Sequence, residues 1–190
     1  NAEGKPVVAA LAPKTSAQQR GLLYEAHDYT LLSKAANAVF LMTYEWGYVY
    51  GEPQAIAPLP QVRAVLDYAL SVTAGENIFL GAPLYAYDWP LPYEKGRTRA
   101  ETFSSQAAVA RARLVGAEIE FDETARSPCY HYFDKMRREH VVWFEDARSL
   151  RAKIALAAEK GLQGIGFWQA GQELAQAWPL LDALVTLETL

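Results

Sequence analysis

Residues 39–44 read VFLMTY, an unbroken apolar run that stops at a tyrosine; Glu45 and the Gly- and Pro-containing loop WGYVYGEPQAIAPLP (residues 46–60) follow directly. A run this short, with branched and aromatic residues and turn residues at its end, is the pattern of a strand buried on both faces. Apolar residues at helical spacing in DYTLLSKAA (28–36) place a helix before it, and PVVAAL (6–11), closed by the turn chemistry of APKTS (12–16), reads as an earlier strand. Downstream, Val62, Val65, Leu66, Ala69 and Leu70 recur on one helical face behind Pro60, which a first turn tolerates, so a helix is predicted that stops near Gly75. NIFLGAPLY (77–85) then reads as a third strand. Leu150, Ile154 and Ala157 mark a helix closed by Gly161, GIGFW (164–168) a fourth strand, and QELAQAWPLLDALVTL (172–187) a final amphipathic helix.

Strands that are apolar throughout, each followed by a helix, imply a parallel sheet covered on both sides, an α/β core. One stretch breaks the alternation. The helix SSQAAVARARLV (104–115) is followed by short strands AEIEF (117–121), CYHYF (129–133) and HVVWF (140–144), the last two joined by the charged turn DKMRRE (134–139). The expected organisation is a core part over 1–89 holding the first three strands, a small α+β insertion over 90–146, and the last core helices and strand over 147–190. An open doubly wound sheet and half of a (β/α)8 barrel both fit this order. Both place their sites beyond the C-terminal ends of the strands.

The net charge is −4, with Lys and Arg scattered among acids, so no basic stripe is present and nucleic acid is not an expected partner. No apolar run approaches the ~20 residues that cross a bilayer, and NAEGKPVV lacks the regions of a signal peptide, so no membrane is expected either. A start without Met reads as a processed or excised chain. Cys129 is the single cysteine, which excludes an intramolecular disulfide and a cysteine-rich cluster, and His27, His131 and His140 lack metal-site spacing. Neither a metal nor a cofactor is expected.

The chemistry gathers at strand ends. Tyr44 and Glu45 lie just past the second strand, where a phenol beside a carboxylate orients and polarises a substrate amide; the same pair also reads as a rim-packing ring and a solvated loop charge. GAPLYAYDW (81–89) puts Tyr85, Tyr87, Asp88 and Trp89 at the end of the third strand, and GFWQAG (166–171) puts Trp168 at the end of the fourth. Any one of these rings fits a core. Three strand ends that each deliver an aromatic favour a groove that stacks sugar-like ligands.

MTYEW (42–46), GAPLYAYDW, RSPCYHYFDKMRREHVVWFEDARSL (126–150) and GIGFWQAG (164–171), in this order and spacing, closely resemble family 18 glycoside hydrolases. The nearest likeness is to their spore-cortex-lytic N-acetylglucosaminidase branch, whose members usually carry peptidoglycan-binding LysM repeats. The resemblance covers essentially the whole chain. It implies a (β/α)8 barrel of which these strands are the fifth to eighth, the C-terminal half, with an α+β insertion after the seventh. It also implies substrate-assisted retaining cleavage, in which a Glu protonates the glycosidic oxygen and the substrate's own N-acetyl carbonyl attacks the anomeric carbon. By resemblance Tyr44 hydrogen-bonds the N-acetyl group, Trp168 floors the sugar at the cut, and Trp46, Tyr85, Tyr87, Asp88 and Trp89 line the groove. Glu45 stands where chitinases commonly have Asp, and the likeness to the spore-lytic branch favours peptidoglycan over chitin as the amino-sugar polymer; the resemblance alone implies a spore or cell-wall location.

One departure matters most. The family's acid lies in a DxxDxDxE motif, and no such string occurs here; AEIEFDE (117–123) and VVWFEDARSL (141–150) lack its spacing. Loss of a general acid removes roughly 10²–10⁴-fold, so the chain alone is expected to be inert, with a chitinase-like carbohydrate-binding protein as the alternative. A half barrel also exposes strand edges and apolar surface. Self-association, or pairing with an N-terminal half, is the expected remedy.

Overall fold

A computed structural model of the protein describes residues 4–172 and 174–185. The chain begins with β1 (Val8–Leu11), α1 (Tyr29–Ala35) and β2 (Ala38–Leu41), a parallel β–α–β unit; α1 starts where Asp28 accepts the Leu31 amide at 3.0 Å. After the long loop, α2 (Leu59–Leu70) carries Pro60 in its first turn and buries Val62, Val65, Leu66 and Ala69. It ends at Leu70, short of Gly75, which instead opens a single 3-10 turn where a Cβ would lie 2.5 Å from the Gly161 carbonyl oxygen.

β3 (Ile78–Pro83) and β4 (Tyr85–Pro90) come next, then β5 (Glu101–Ser104), α3 (Ser105–Val115), β6 (Glu120–Asp122), β7 (Ser127–Phe133) and β8 (Glu139–Trp143). The chain finishes with α4 (Ala147–Glu159), β9 (Gly164–Trp168) and α5 (Ala177–Leu184). α4 opens with a reciprocal cap: Asp146 accepts the Ser149 amide at 3.0 Å and Ser149 Oγ accepts the Asp146 amide at 2.9 Å.

Two sheets result. A four-stranded parallel sheet has the order β1-β2-β3-β9, and a five-stranded antiparallel sheet the order β5-β4-β8-β7-β6. α2 and α4 bury Leu66, Ala69, Leu150 and Leu156 with Leu41, Ile78 and Leu80 of the parallel sheet, while α3 closes a smaller core of Ala86, Ala108, Ala112, Tyr130, Val142 and Phe144 on the antiparallel one. On the parallel sheet the Phe40 ring crosses its neighbours, which is possible because a Cβ at Gly81 or Gly166 would come within 2.9 and 2.5 Å of that ring. The outer strands β1 and β9 each have one neighbour, and Val8 on β1 is 46% exposed.

Four local expectations are revised. NIFLGAPLY is two strands in two sheets: Leu84 donates to the Trp168 carbonyl at 2.9 Å in one and accepts from the Ser105 amide at 3.0 Å in the other. The antiparallel sheet therefore begins at Tyr85 and takes in Tyr85–Pro90, ahead of residue 90. β5 has no counterpart among the expected strands, because ETFS is polar and largely exposed and becomes a strand only by pairing with β4. AEIEF contributes only its last residues, with Asp122, to β6. The final helix starts at Ala177 rather than Gln172, since Pro179 is tolerated in a first turn and would cost a hydrogen bond in an interior; residues 173, 186 and 187 of that expectation lie outside the described residues.

Candidate active site

β2, β3 and β9 run parallel, so Tyr44, Leu84 and Trp168 emerge at one end of the sheet. There Thr43 turns inward and donates to the Gly81 carbonyl at 2.6 Å. Glu45 then adopts φ 73°, a left-handed conformation unusual for a bulky residue. Its Oε1 accepts the Tyr85 hydroxyl at 2.5 Å and the Tyr87 hydroxyl at 2.8 Å. Backbone strain of this kind costs about 1–3 kcal/mol and persists where the surroundings over-determine it, and two phenol donors to one charged oxygen are such surroundings.

The phenols are donors throughout the physiological range. Burial, then the Glu45 charge, pushes Tyr44 up to about 12; burial, then the charge of and hydrogen bond to Glu45, raises Tyr85 and Tyr87 further. Tyr44 is buried and stands edge-on to Tyr85, with ring centroids 6.4 Å apart, and its hydroxyl has no hydrogen-bond partner among the described residues. Trp168 is 54% exposed, and the peptide bond that follows it is cis.

Glu45 borders two hollows. A small, open one of about 110 Å³ is lined by Glu45, Tyr85, Tyr87, Thr102, Trp168 and Gln172, with Gln169. The larger, about 510 Å³, is walled by Tyr44, Glu45 and Trp46 on one side and by Pro13, Tyr24 and His27 on the other. Among the described residues Glu45 is the only carboxylate lining either. Glu145, in the acidic string that lacks the expected motif, is wholly buried against the Lys153 ammonium at 2.8 and 3.0 Å, away from both hollows; burial raises its pKa despite that partner. Among the described residues no group of three metal-ligating side chains converges.

Tyr44, Glu45, Trp46, Tyr85, Tyr87 and Trp168 thus meet around the hollows; Asp88 and Trp89 do not. Alternation along β4 turns Asp88 to the α3 side, where Oδ2 accepts Arg111 at 2.5 Å and Tyr132 at 2.6 Å, and Oδ1 meets His140 Nδ1 at 2.7 Å. Trp89 shares the face of Tyr87 but is fully buried behind it, ring centroids 5.4 Å apart. A fully buried ring offers no face to a ligand. Sequence pattern does not point to Thr102, Gln169 or Gln172: Thr102 needs the β4–β5 pairing, and Gln172 falls in the expected final helix, although its Oε1 is buried without a partner among the described residues.

Comparison with known proteins places the chain. The model of glycosyl hydrolases family 18 matches residues 3–173, and the chain belongs to that family. It is 48% identical over 180 residues to a cortical fragment-lytic enzyme of Bacillus subtilis, covering 95% of this chain and 42% of that protein. The Bacillus cereus spore cortex-lytic enzyme SleL superposes with a TM-score of 0.92 at 43% identity, over 96% of this chain and 42% of that one. A chitinase of Chromobacterium violaceum shares the fold, with a TM-score of 0.87 at 23% identity, over 95% of this chain and 56% of its own. The fold is therefore α/β of the (β/α)8 barrel family, and the chain spans 42% of the length of the Bacillus relatives it matches.

Proposed function

We propose that this chain supplies the C-terminal half, strands five to eight, of a glycosidase that cleaves N-acetylglucosaminyl linkages in peptidoglycan, with spore cortex as its substrate. The observation that carries the reading is the cluster at the strand ends: Glu45 held by Tyr85 and Tyr87, the Tyr44 hydroxyl beside it, without a partner among the described residues, and the exposed Trp168 face. The sugar rests on Trp168. Tyr44 donates to the N-acetyl carbonyl and aims its oxygen at the anomeric carbon, while Glu45, an acceptor fixed by two phenols, orients the substrate from the other side. The acetamide oxygen displaces the glycosidic oxygen, which takes a proton from an acid, and water then opens the intermediate with net retention.

The acid comes from outside these residues in this proposal, and the place of action is the extracytoplasmic spore or cell wall. The test is reducing-end release from purified cortex peptidoglycan by this chain and by the longer protein that carries it. Activity in the longer protein alone is expected. Activity in the isolated chain would refute the assignment of a missing acid. Inactivity in both would favour the second reading, a chitinase-like protein that binds amino sugars without cutting, which the missing DxxDxDxE string also supports.

A further inference from the structure

The small hollow beside Trp168 constrains the chemistry of whatever enters it. Tyr85 and Tyr87 line it, but each spends its single hydroxyl proton on Glu45 Oε1, so lone pairs are all they have left to offer. Glu45 adds its other oxygen, which has no hydrogen-bond partner among the described residues.

Gln172 sharpens the constraint. Its backbone amide donates to the Gln169 carbonyl at 3.0 Å, closing the turn that follows β9, and its side chain comes back to line the hollow. There Oε1 is buried and has no partner among the described residues. Buried polar groups are nearly always paired, and leaving one unpaired is costly. An apolar side chain of the same length would fill this space without that penalty. Thr102 and Gln169, both exposed, can turn either a proton or a lone pair to the hollow.

The two hollows beside Glu45 therefore ask for opposite partners. At the larger one the Tyr44 hydroxyl has a proton to give, which suits a carbonyl oxygen. The smaller one gathers acceptors, which suits a group that brings its own proton. At about 110 Å³ it is well below the ~300–1,000 Å³ of pockets that enclose a whole ligand, so it takes a substituent of a sugar rather than the ring.

We propose that Gln172 is a specificity-determining residue: its Oε1, together with the second oxygen of Glu45, accepts a hydroxyl of the sugar unit that rests on Trp168. The inference rests on the reading of the groove as an amino-sugar site and narrows it to units in which that hydroxyl is free. An ether or ester at the same position has no proton to give, sets a further acceptor against the Glu45 carboxylate and adds bulk to a small hollow. An O-alkylated or O-acylated amino sugar is therefore rejected there.

The test is hydrolysis by the longer protein, unaltered and as Gln172→Leu, of a chromogenic aryl glycoside of an N-acetylglucosamine disaccharide. Analogues in which one hydroxyl at a time is replaced by hydrogen, on the unit joined to the aryl group, are run beside it. The unaltered protein should lose about fivefold to tenfold in kcat/KM on one analogue, and Gln172→Leu should lose a similar factor on the parent substrate but little more on that analogue. The thermal midpoint of the variant should be unchanged or higher, because an unpaired buried amide has been removed. Gln172→Met, which keeps the length of the side chain, should give the same pattern. Additive losses on every analogue would overturn the role of Gln172 and leave the groove standing, and so would a lowered midpoint in both variants, the mark of a structural glutamine. Failure of the unaltered longer protein to cleave the parent substrate would overturn the groove reading and this inference together.

Discussion

Glu45 and Asp88 are both carboxylates that accept tyrosine hydroxyls, and they lie on opposite faces of β4. Asp88 is 2% exposed and uses both oxygens, with Arg111, Tyr132 and His140 around it. Glu45 is exposed, uses one oxygen, and has no cation within salt-bridge distance among the described residues. The difference teaches that saturation separates a structural carboxylate from one available to a ligand. Asp88 ties β4 to α3 and to β7 and β8, and its bonds are satisfied within the fold. Glu45 is positioned just as firmly, by two phenols, but its other oxygen has no hydrogen-bond partner among the described residues.

Removing the donor next to Glu45 should have the largest effect. In the longer protein Tyr44→Phe should lower kcat about 10²-fold with little change in KM, the size of loss seen when one preorganised donor is removed; unchanged turnover would take Tyr44 out of the mechanism. Next in size, Asp88→Asn should cost stability rather than turnover. It puts an amide where Oδ2 accepts Arg111 and Tyr132 and Oδ1 meets His140, while Arg111 keeps Glu101 at 2.8 and 3.0 Å, and about 2 kcal/mol is expected from a denaturant midpoint; a larger fall in kcat than in stability would erase the contrast between the two carboxylates. Glu45→Gln should show the reverse, about tenfold in turnover with a stability change within about 0.5 kcal/mol.

The smallest effects are those of pH. Asp134 accepts the amides of Arg138 at 2.9 Å and Met136 at 2.8 Å in the β7–β8 turn, which lowers its folded-state pKa to about 2, so its contribution to that turn is complete above the unfolded value of about 4 and is lost as pH falls toward 2. Amide exchange at Met136 and Arg138 should accelerate over that window. Tyr44 has the opposite sign. With its pKa raised to about 12, its contribution is complete below the unfolded value of about 10 and disappears as pH rises toward 12; ultraviolet titration of the Tyr44→Phe variant against the parent isolates that phenol.

Much of the parallel sheet was legible in the chain. VFLMTY, NIFLG and GIGFW read as strands because a strand buried on both faces must be apolar at every position, and α2 and α4 carried their stripes, with Pro60 and Gly161 near their ends. The antiparallel sheet was less legible at its margins: β5 is polar, and the apolar run that contains β3 hides the change of sheet at Leu84. The site shows the same division. Tyr44, Glu45 and Trp168 could be named from their positions after strands, whereas Thr102 and Gln172 come from segments whose relation to the site is set by pairing across the insertion.

The order of residues alone was enough for the α/β class, for the family through its strand-end motifs, and for the absence of a DxxDxDxE string, because each of these is a property of local pattern. The assignment of roles within YAYDW needed the folded chain. A strand alternates its side chains, but which face meets the groove depends on the partners it finds, and those partners sent Tyr85 and Tyr87 to Glu45, Asp88 to Arg111, and Trp89 into the core.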